Sequence, residues 1–336
     1  MHIVVTSINR PNNALREIAR GAIEGSHQFV VVGDTKSPPD FELEGCRFVD
    51  MDAQLRSGFA FAAQCPTRHY ARKNIGYLIA IQQKAPLILE TDDDNIPRSA
   101  FFAPRQRRTT ARLLREAGWI NVYRYFTDAH IWPRGFPLDA VRHAVPPYAS
   151  LGEESVDCPI QQGLADENPD VDAIYRLLLP LPQSFSDRGS ITLGRGAWCP
   201  FNSQNTAWWP SAYPLLYLPA YCSFRMTDIW RSFVAQRIAW ENGWHVLFHG
   251  PTVWQERNEH NLMRDFADEV PGYLHNERIR KTLEDLHVRP GEDELLPNLV
   301  RCYEALIRLE VIGAQEMSLL KAWLVDIERI GGASNA

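Results

Sequence analysis

Apolar strand-like runs alternate with helical periodicities through the first hundred residues, and that rhythm constrains the fold more than any other feature of the chain. Ile3–Ser7 is a short β-branched run, and Asn12–Glu24 follows with Leu15, Ile18, Ala19 and Ile23 at helical spacing. Phe29–Gly33 is fully apolar, as a parallel strand covered on both faces must be. Arg47–Asp50 predicts a third short strand. Arg72–Gln83 predicts a helix, with Ile75, Leu78, Ile79 and Gln82 on successive turns. Pro86–Thr91 is a further buried strand that runs directly into Asp92-Asp93-Asp94. Strands and helices in this order build an open, mostly parallel α/β sheet. Such sheets bind their ligands beyond the carboxyl ends of the strands. Here those ends are Thr6-Ser7, Gly33-Asp34 and Thr91–Asp94, so polar residues collect where a ligand would sit.

Residues 100–220 are rich in Pro, aromatics and Arg, and segments such as Ile131–Gly135 and Ala207–Pro210 predict ordered loops. Met226–Asn242 predicts an amphipathic helix and Trp244–Phe248 a strand. The character then becomes purely helical, with His275–His287, Glu294–Ile312 and Glu316–Ile330. This divides the chain into 1–100, 101–275 and a C-terminal helical extension, 276–330, suited to packing or to pairing two copies.

Composition removes several function classes. With 336 residues, 45% hydrophobic and 23% charged, the chain has material for a real core and is neither disordered nor a coiled coil. A net charge of −6 is the wrong sign for a generic nucleic-acid binder. The six cysteines show no C-x-x-C spacing and predict buried free thiols rather than zinc or a disulfide framework. No secretory leader and no run of about 18 apolar residues is visible, so a soluble, cytoplasmic protein without a membrane span is expected.

The acidic triplet carries the strongest chemical signal. Three carboxylates at one strand end repel one another unless a cation neutralises them, and a hard divalent ion sharing phosphate oxygens does so economically. Strand alternation would put Asp92 and Asp94 on one side and Asp93 on the other. The competing reading is a solvated acidic turn with Asp capping the next helix. His260, in a polar stretch without apolar periodicity, is the candidate imidazole ligand, and Mn²⁺ (or Mg²⁺) accepts such a mixed set. The first strand end, with Thr6, Asn9 and Arg10, lies beside Asp34 of the second and could read a base and ribose. There is no G-x-G-x-x-G and no P-loop, so Arg72 or Lys73 is expected to face phosphate. Arg105, Arg107, Arg108, Arg112 and Arg115 predict a solvated helical face.

Four segments in consistent order add a family resemblance: Arg72–Gln82 with the triplet behind it; Trp132–Leu138; Pro159–Leu164 with Pro169–Asp172; and Phe201–Thr206. Over roughly residues 1–275 the chain resembles the STELLO family of glycosyltransferase-like proteins, also called domain-of-unknown-function 288. The resemblance implies a GT-A nucleotide-diphospho-sugar transferase fold, in which an Asp-x-Asp element holds a divalent metal and the donor diphosphate. Residues 1–100 would then be the nucleotide-binding half and 101–275 the acceptor half.

These readings predict a metal-dependent glycosyltransferase that moves a sugar from a UDP-sugar to a carbohydrate or other hydroxyl acceptor, with inversion. Thr6, Asn9, Arg10, Asp34, Lys73, Asp92 and Asp93 are expected on the donor. Asp92, Asp94 and His260 are expected on the metal. Trp132, Arg134, Trp208 and Arg231 are expected on the acceptor, since sugar rings stack on aromatic faces. Asp228, in the first turn of a helix capped by Thr227, is the expected catalytic base. Asp228→Asn would then cost transfer while leaving stability nearly unchanged. Two alternatives are a nucleotide-sugar mutase or self-glycosylating protein, which would act on donor alone, and a non-catalytic sugar-nucleotide-binding scaffold, which would leave donor intact.

Overall fold

The computed structural model describes residues 1–256 and 261–332. The strands in the first hundred residues are β1 (His2–Thr6), β2 (Gln28–Val32), β3 (Arg47–Val49), β4 (Ile88–Thr91) and β5 (Asn95–Pro97). They are followed by β6 (Arg108–Leu114), β7 (Gly118–Trp119), β8 (Glu153–Asp157) and β9 (Ile160–Asp166). The last are β10 (Ile191–Leu193), β11 (Ala197–Trp198), β12 (Asn205–Trp208) and β13 (Val246–Gln255). The helices of the first half are α1 (Asn13–Glu24), α2 (Met51–Arg56), α3 (Ala60–Gln64), α4 (Lys73–Gln82) and α5 (Ala173–Leu178). The second half adds α6 (Thr227–Glu241), α7 (Leu262–Asp285), α8 (Leu295–Arg308) and α9 (Glu316–Gly332).

The expected α/β sheet is present, and among the described residues its order is β3-β2-β1-β4-β12-β9-β13-β10-β6-β8. Strands β3, β2, β1 and β4 run parallel, and the mostly apolar runs of β1, β2 and β4 suit strands covered on both faces. Beyond them the sheet is mixed, because β12 lies antiparallel to both β4 and β9. Asn12 caps α1 by accepting from Leu15 N at 3.0 Å. Helix α4 seats directly on the sheet at Gly76, where a Cβ would come within 2.5 Å of Val4 and 2.9 Å of Val32. That close approach, together with α1 on the other face, aligns the ends of β1, β2 and β4 at one edge.

Several expectations change. Arg108–Leu114 is a strand, β6, and not a helical face; Arg108 and Arg112 on it, and Arg107 and Arg115 flanking it, pair with Asp157, Glu153 and Glu154 of antiparallel β8. Trp208 belongs to strand β12 and not to a loop, because β12 fills the slot between β4 and β9. Helix α6 is not amphipathic, since it is buried along nearly its whole length between the sheet and the C-terminal helices.

Those C-terminal helices share the core of the chain. The helix expected to start at 275 begins at Leu262, where Asn261 accepts from Met263 N and Arg264 N, so position 275 lies inside α7. Leu283, Leu299, Tyr303, Leu319 and Trp323 belong to the same apolar cluster as Leu78 and Phe233. Polar pins reinforce the packing. Trp230 donates to Asn276 at 2.8 Å and Trp198 to Glu284 at 2.7 Å. Buried Asp326 of α9 accepts from Ala60 N and Phe61 N at 3.0 and 2.8 Å, capping α3 from the far end of the sequence. No described helix is long and apolar enough to cross a membrane. All six cysteines are free thiols.

Candidate active site

A cavity of about 570 Å³ opens at the carboxyl ends of β1, β2 and β4, where an open α/β sheet places its ligand. Thr6, Ser7 and Asn9 reach it from β1, Asp34 and Lys36 from β2, and Arg68, His69 and Tyr70 from the loop before α4. Asp92, Asp93 and Asp94 line it from the end of β4. Arg134, Asp170, Phe224, Arg225 and Asp228 close the opposite side.

The triplet does not continue the strand. Strand β4 ends at Thr91, and Asp92–Asp94 form the turn into β5, with Asn95 N donating to the Asp92 carbonyl at 3.3 Å. Strand alternation therefore does not sort the three carboxylates; each has its own partner set. Asp93 accepts from Ser7 Oγ at 2.5 Å and from Asn9 Nδ2 at 3.0 Å, both neutral donors. Asp94 is buried beside Gln255, whose amide donates to it at 3.0 Å. Asp92 accepts from Lys73 Nζ at 2.9 Å and from Tyr70 Oη at 3.2 Å. Burial raises the Asp92 pKa even against the lowering effect of Lys73.

Several sequence assignments move. Lys73 is fully buried, with its ammonium donating to Asp92, Tyr70 and the Ser203 carbonyl, so it holds Asp92 and does not itself line the cavity. Arg72 is equally buried and braces the β2–β3 side through Gln54 at 2.8 Å and the Cys65 carbonyl at 2.9 Å. Arg10 points away from the cavity and pairs with Asp40 at 2.9 Å on the surface. Trp132 is buried and donates to Asp172 at 2.6 Å, outside the cavity. Trp208 and Arg231 are core residues around buried Glu90: the indole donates at 2.8 Å, the guanidinium pairs at 2.9 Å and lies 5.0 Å over the indole ring. None of these three lines the cavity. His260 lies outside the described residues.

Asp228 does line the cavity, in the first turn of α6 as expected, although Thr227 is the first helical residue and not a cap. Its carboxylate is held bidentately by Arg134, at 3.0 and 2.9 Å, and Ser203 N adds a contact at 3.3 Å. Arg134 also grips Asp170 at 2.8 and 2.9 Å. Burial alone would raise the Asp228 pKa, but the Arg134 guanidinium outweighs it and holds the group at about 2. Arg134 is thus an internal clamp between two carboxylates, with no fork left for an acceptor. Tyr70 links the two walls, because its hydroxyl meets Asp92, Lys73 and the Ser203 hydroxyl together.

Sequence reasoning did not single out Arg68, Lys36 or Phe224. Arg68 and Lys36 are exposed on the cavity wall and make no ion pair among the described residues. Phe224 is half exposed there, with its ring edge-on to His69 and Tyr70. Nothing in composition or periodicity distinguishes these loop residues from ordinary surface positions.

Comparison with known proteins meets this geometry. Residues 225–334 match the family described as STELLO glycosyltransferases. The chain is 27% identical to "Probable glycosyltransferase STELLO2" of Arabidopsis thaliana over 98% of its own length. It is 26% identical to "Probable glycosyltransferase STELLO1" of the same plant, again over 98% of this chain. The chain is STELLO-like. The STELLO-like chain spans less than half of those relatives, 45% of the first and 44% of the second. Among solved structures it is similar to a glucosyl-3-phosphoglycerate synthase from Mycobacterium tuberculosis in complex with Mn²⁺, UDP-glucose and phosphoglyceric acid. That match has 10% identity, covers 90% of this chain and 79% of the other, and has a TM-score of 0.41. The family match falls on α6 to α9 and so includes Asp228, while the curated relatives align across the cavity-forming first half as well.

Proposed function

We propose that this chain is a glycosyltransferase that takes its sugar from a nucleotide-diphosphate donor, with a UDP-sugar the favoured donor and a hydroxyl group the acceptor. One observation carries the reading: a single cavity brings the strand-end groups Thr6, Asn9 and Asp34, the Asp92–Asp94 turn and the Asp228 carboxylate together. The likeness to relatives named as probable glycosyltransferases supports it. Asp34 already accepts from His69 N at 3.0 Å and Thr35 N at 2.6 Å, and its remaining lone pairs could take a uracil imide or a ribose hydroxyl.

The carboxylates suit a divalent metal in a particular way. No three His, Cys, Asp or Glu side chains are grouped as a ready-made cage among the described residues. Six aspartates nevertheless face the cavity, namely 34, 92, 93, 94, 170 and 228. Asp92 and Asp94 would hold Mn²⁺ or Mg²⁺ with donor oxygens completing the shell, which is how a hard ion is bound when the protein offers few ligands. The metal would neutralise charge on the departing diphosphate. This chain's own residues do the rest. Lys73 and Tyr70 fix Asp92, Ser7 and Asn9 fix Asp93, and Asp228 faces the side from which an acceptor hydroxyl would attack, with inversion. Phe224, the half-exposed ring on that side, is the stacking surface for a carbohydrate acceptor in place of Trp132 and Trp208.

A thermal-shift screen of nucleoside diphosphates and nucleotide-sugars, with and without Mn²⁺, tests this reading. Binding to the native state raises the melting temperature by mass action, and about 2.7 kcal/mol accrues at a hundredfold excess over Kd. A selective shift with uridine diphosphates in the presence of metal is the expected result. The absence of any shift with all nucleotides would end the proposal.

A further inference from the structure

We infer that Arg68, assisted by Lys36, is the phosphate-binding cation of this cavity, taking the diphosphate of the nucleotide donor. The inference rests on the function proposed above and names residues for it that the sequence did not suggest. A diphosphate cannot enter a cavity faced by six aspartates without cationic partners besides a metal. The cavity's cations are unevenly committed. Arg134 is clamped between Asp170 and Asp228, and Arg225 pairs with buried Glu269 at 2.9 Å. Arg72 is buried against Gln54 and the Cys65 carbonyl, and half-buried Arg176 donates to the Pro169 carbonyl at 2.8 Å. Arg68 and Lys36 alone combine exposure, a place on the cavity wall and no ion pair among the described residues.

The backbone supplies an independent observation. Arg68 has φ 56°, the left-handed region that non-glycine residues other than Asn and Asp seldom adopt. The loop is pinned in that form from the nucleotide side: His69 N donates to Asp34 Oδ2 at 3.0 Å, and Ala71 N donates to His69 Nδ1 at 3.0 Å. The β2 strand end that presents Asp34 also presents Lys36, tied by Ser37 Oγ to the Ser7 carbonyl at 2.7 Å. One aspartate thus fixes the position of the arginine while facing the same cavity. Arg68 lines the same cavity as the ends of β1 and β2 and the Asp92–Asp94 turn, and its planar guanidinium fork matches phosphate oxygens bidentately.

Titration calorimetry with UDP, uridine and inorganic pyrophosphate, at fixed Mn²⁺, separates the outcomes. Arg68→Ala should weaken UDP at least about tenfold and abolish pyrophosphate binding, while uridine affinity and melting temperature stay as in the wild type. Arg68→Lys should recover part of the loss, keeping charge but not the fork, and Lys36→Ala should cost less, about threefold. Equal UDP affinity in wild type and Arg68→Ala would overturn this inference while leaving the proposed function standing. Failure of the wild type to bind any nucleoside diphosphate would overturn both.

Discussion

Asp228→Asn is expected to lower glycosyl transfer about a hundredfold and, at the same time, to destabilise the fold. A positioned carboxylate base contributes ~10²–10⁴-fold to such a step, and a base whose pKa is held at about 2 belongs at the weak end of that range. The stability loss corrects the simple expectation that an isosteric amide would be silent. Both Asp228 oxygens accept from Arg134, at 3.0 and 2.9 Å, so an amide would set one N–H₂ group against the guanidinium. The pH dependence follows from the sign of the shift. A carboxyl lowered from 3.8 to about 2 by folding contributes stability that is fully present above about pH 4 and is lost as the pH falls towards 2. The contribution is on the order of 2 kcal/mol. The gap in melting temperature between wild type and Asp228→Asn should therefore be constant from pH 5 to 8 and narrow below about pH 4. Transfer should show no acid limb from Asp228 in the neutral range. Turnover close to wild type, with the melting gap intact, would leave Asp228 as the anchor of Arg134 and nothing more.

Glu90→Ala should be the most damaging change to the fold that touches no cavity residue. Glu90 is fully buried on β4, and it accepts from the Tyr77 hydroxyl and from Trp208 Nε1 at 2.8 Å. It is also the counter-ion of Arg231, at 2.9 Å. Removing it leaves the Arg231 guanidinium buried at 1% exposure without a carboxylate. Breaking a buried pair from one side costs about 3–5 kcal/mol, a large share of a typical domain's stability. Denaturant unfolding is expected to show that loss, and Arg231→Met in the same background should recover much of it by removing the stranded charge. A loss below about 1 kcal/mol would mean that Arg231 finds another partner.

How much of this was legible in the sequence depended on whether the deciding contact was local. Val4, Val31 and Leu89 announced parallel strands because a strand covered on both faces reads as a near-continuous apolar run, Glu90 being the buried exception on β4. Asn12 announced the start of α1 because capping acts within three residues. Arg108–Leu114 was misread because Arg108 and Arg112 stand four residues apart, as on a helix face, while the β-branched Thr109-Thr110 pair went unweighed and the ion pairs that decide for β6 come from a strand some forty residues later. The cavity was legible as a place, the strand ends, but its division of labour was not. Lys73 and Arg68 look alike in the sequence; one is consumed by Asp92 and Ser203, brought in from 19 and 130 positions away, and the other makes no ion pair among the described residues. Trp208 and Arg231 suggested a sugar-stacking surface because aromatic and guanidinium groups serve both cores and clefts, and only the burial of Glu90 between them decides which.

The central claim is that the turn after β4 binds a metal and a nucleoside diphosphate together. Titration calorimetry of the wild type and of Asp94→Ala with UDP, with and without Mn²⁺, tests it most directly, with circular dichroism to confirm an intact fold. The wild type should bind UDP strongly only when Mn²⁺ is present, and Asp94→Ala should lose that metal-dependent binding entirely. An unchanged titration for a folded Asp94→Ala variant would contradict the account.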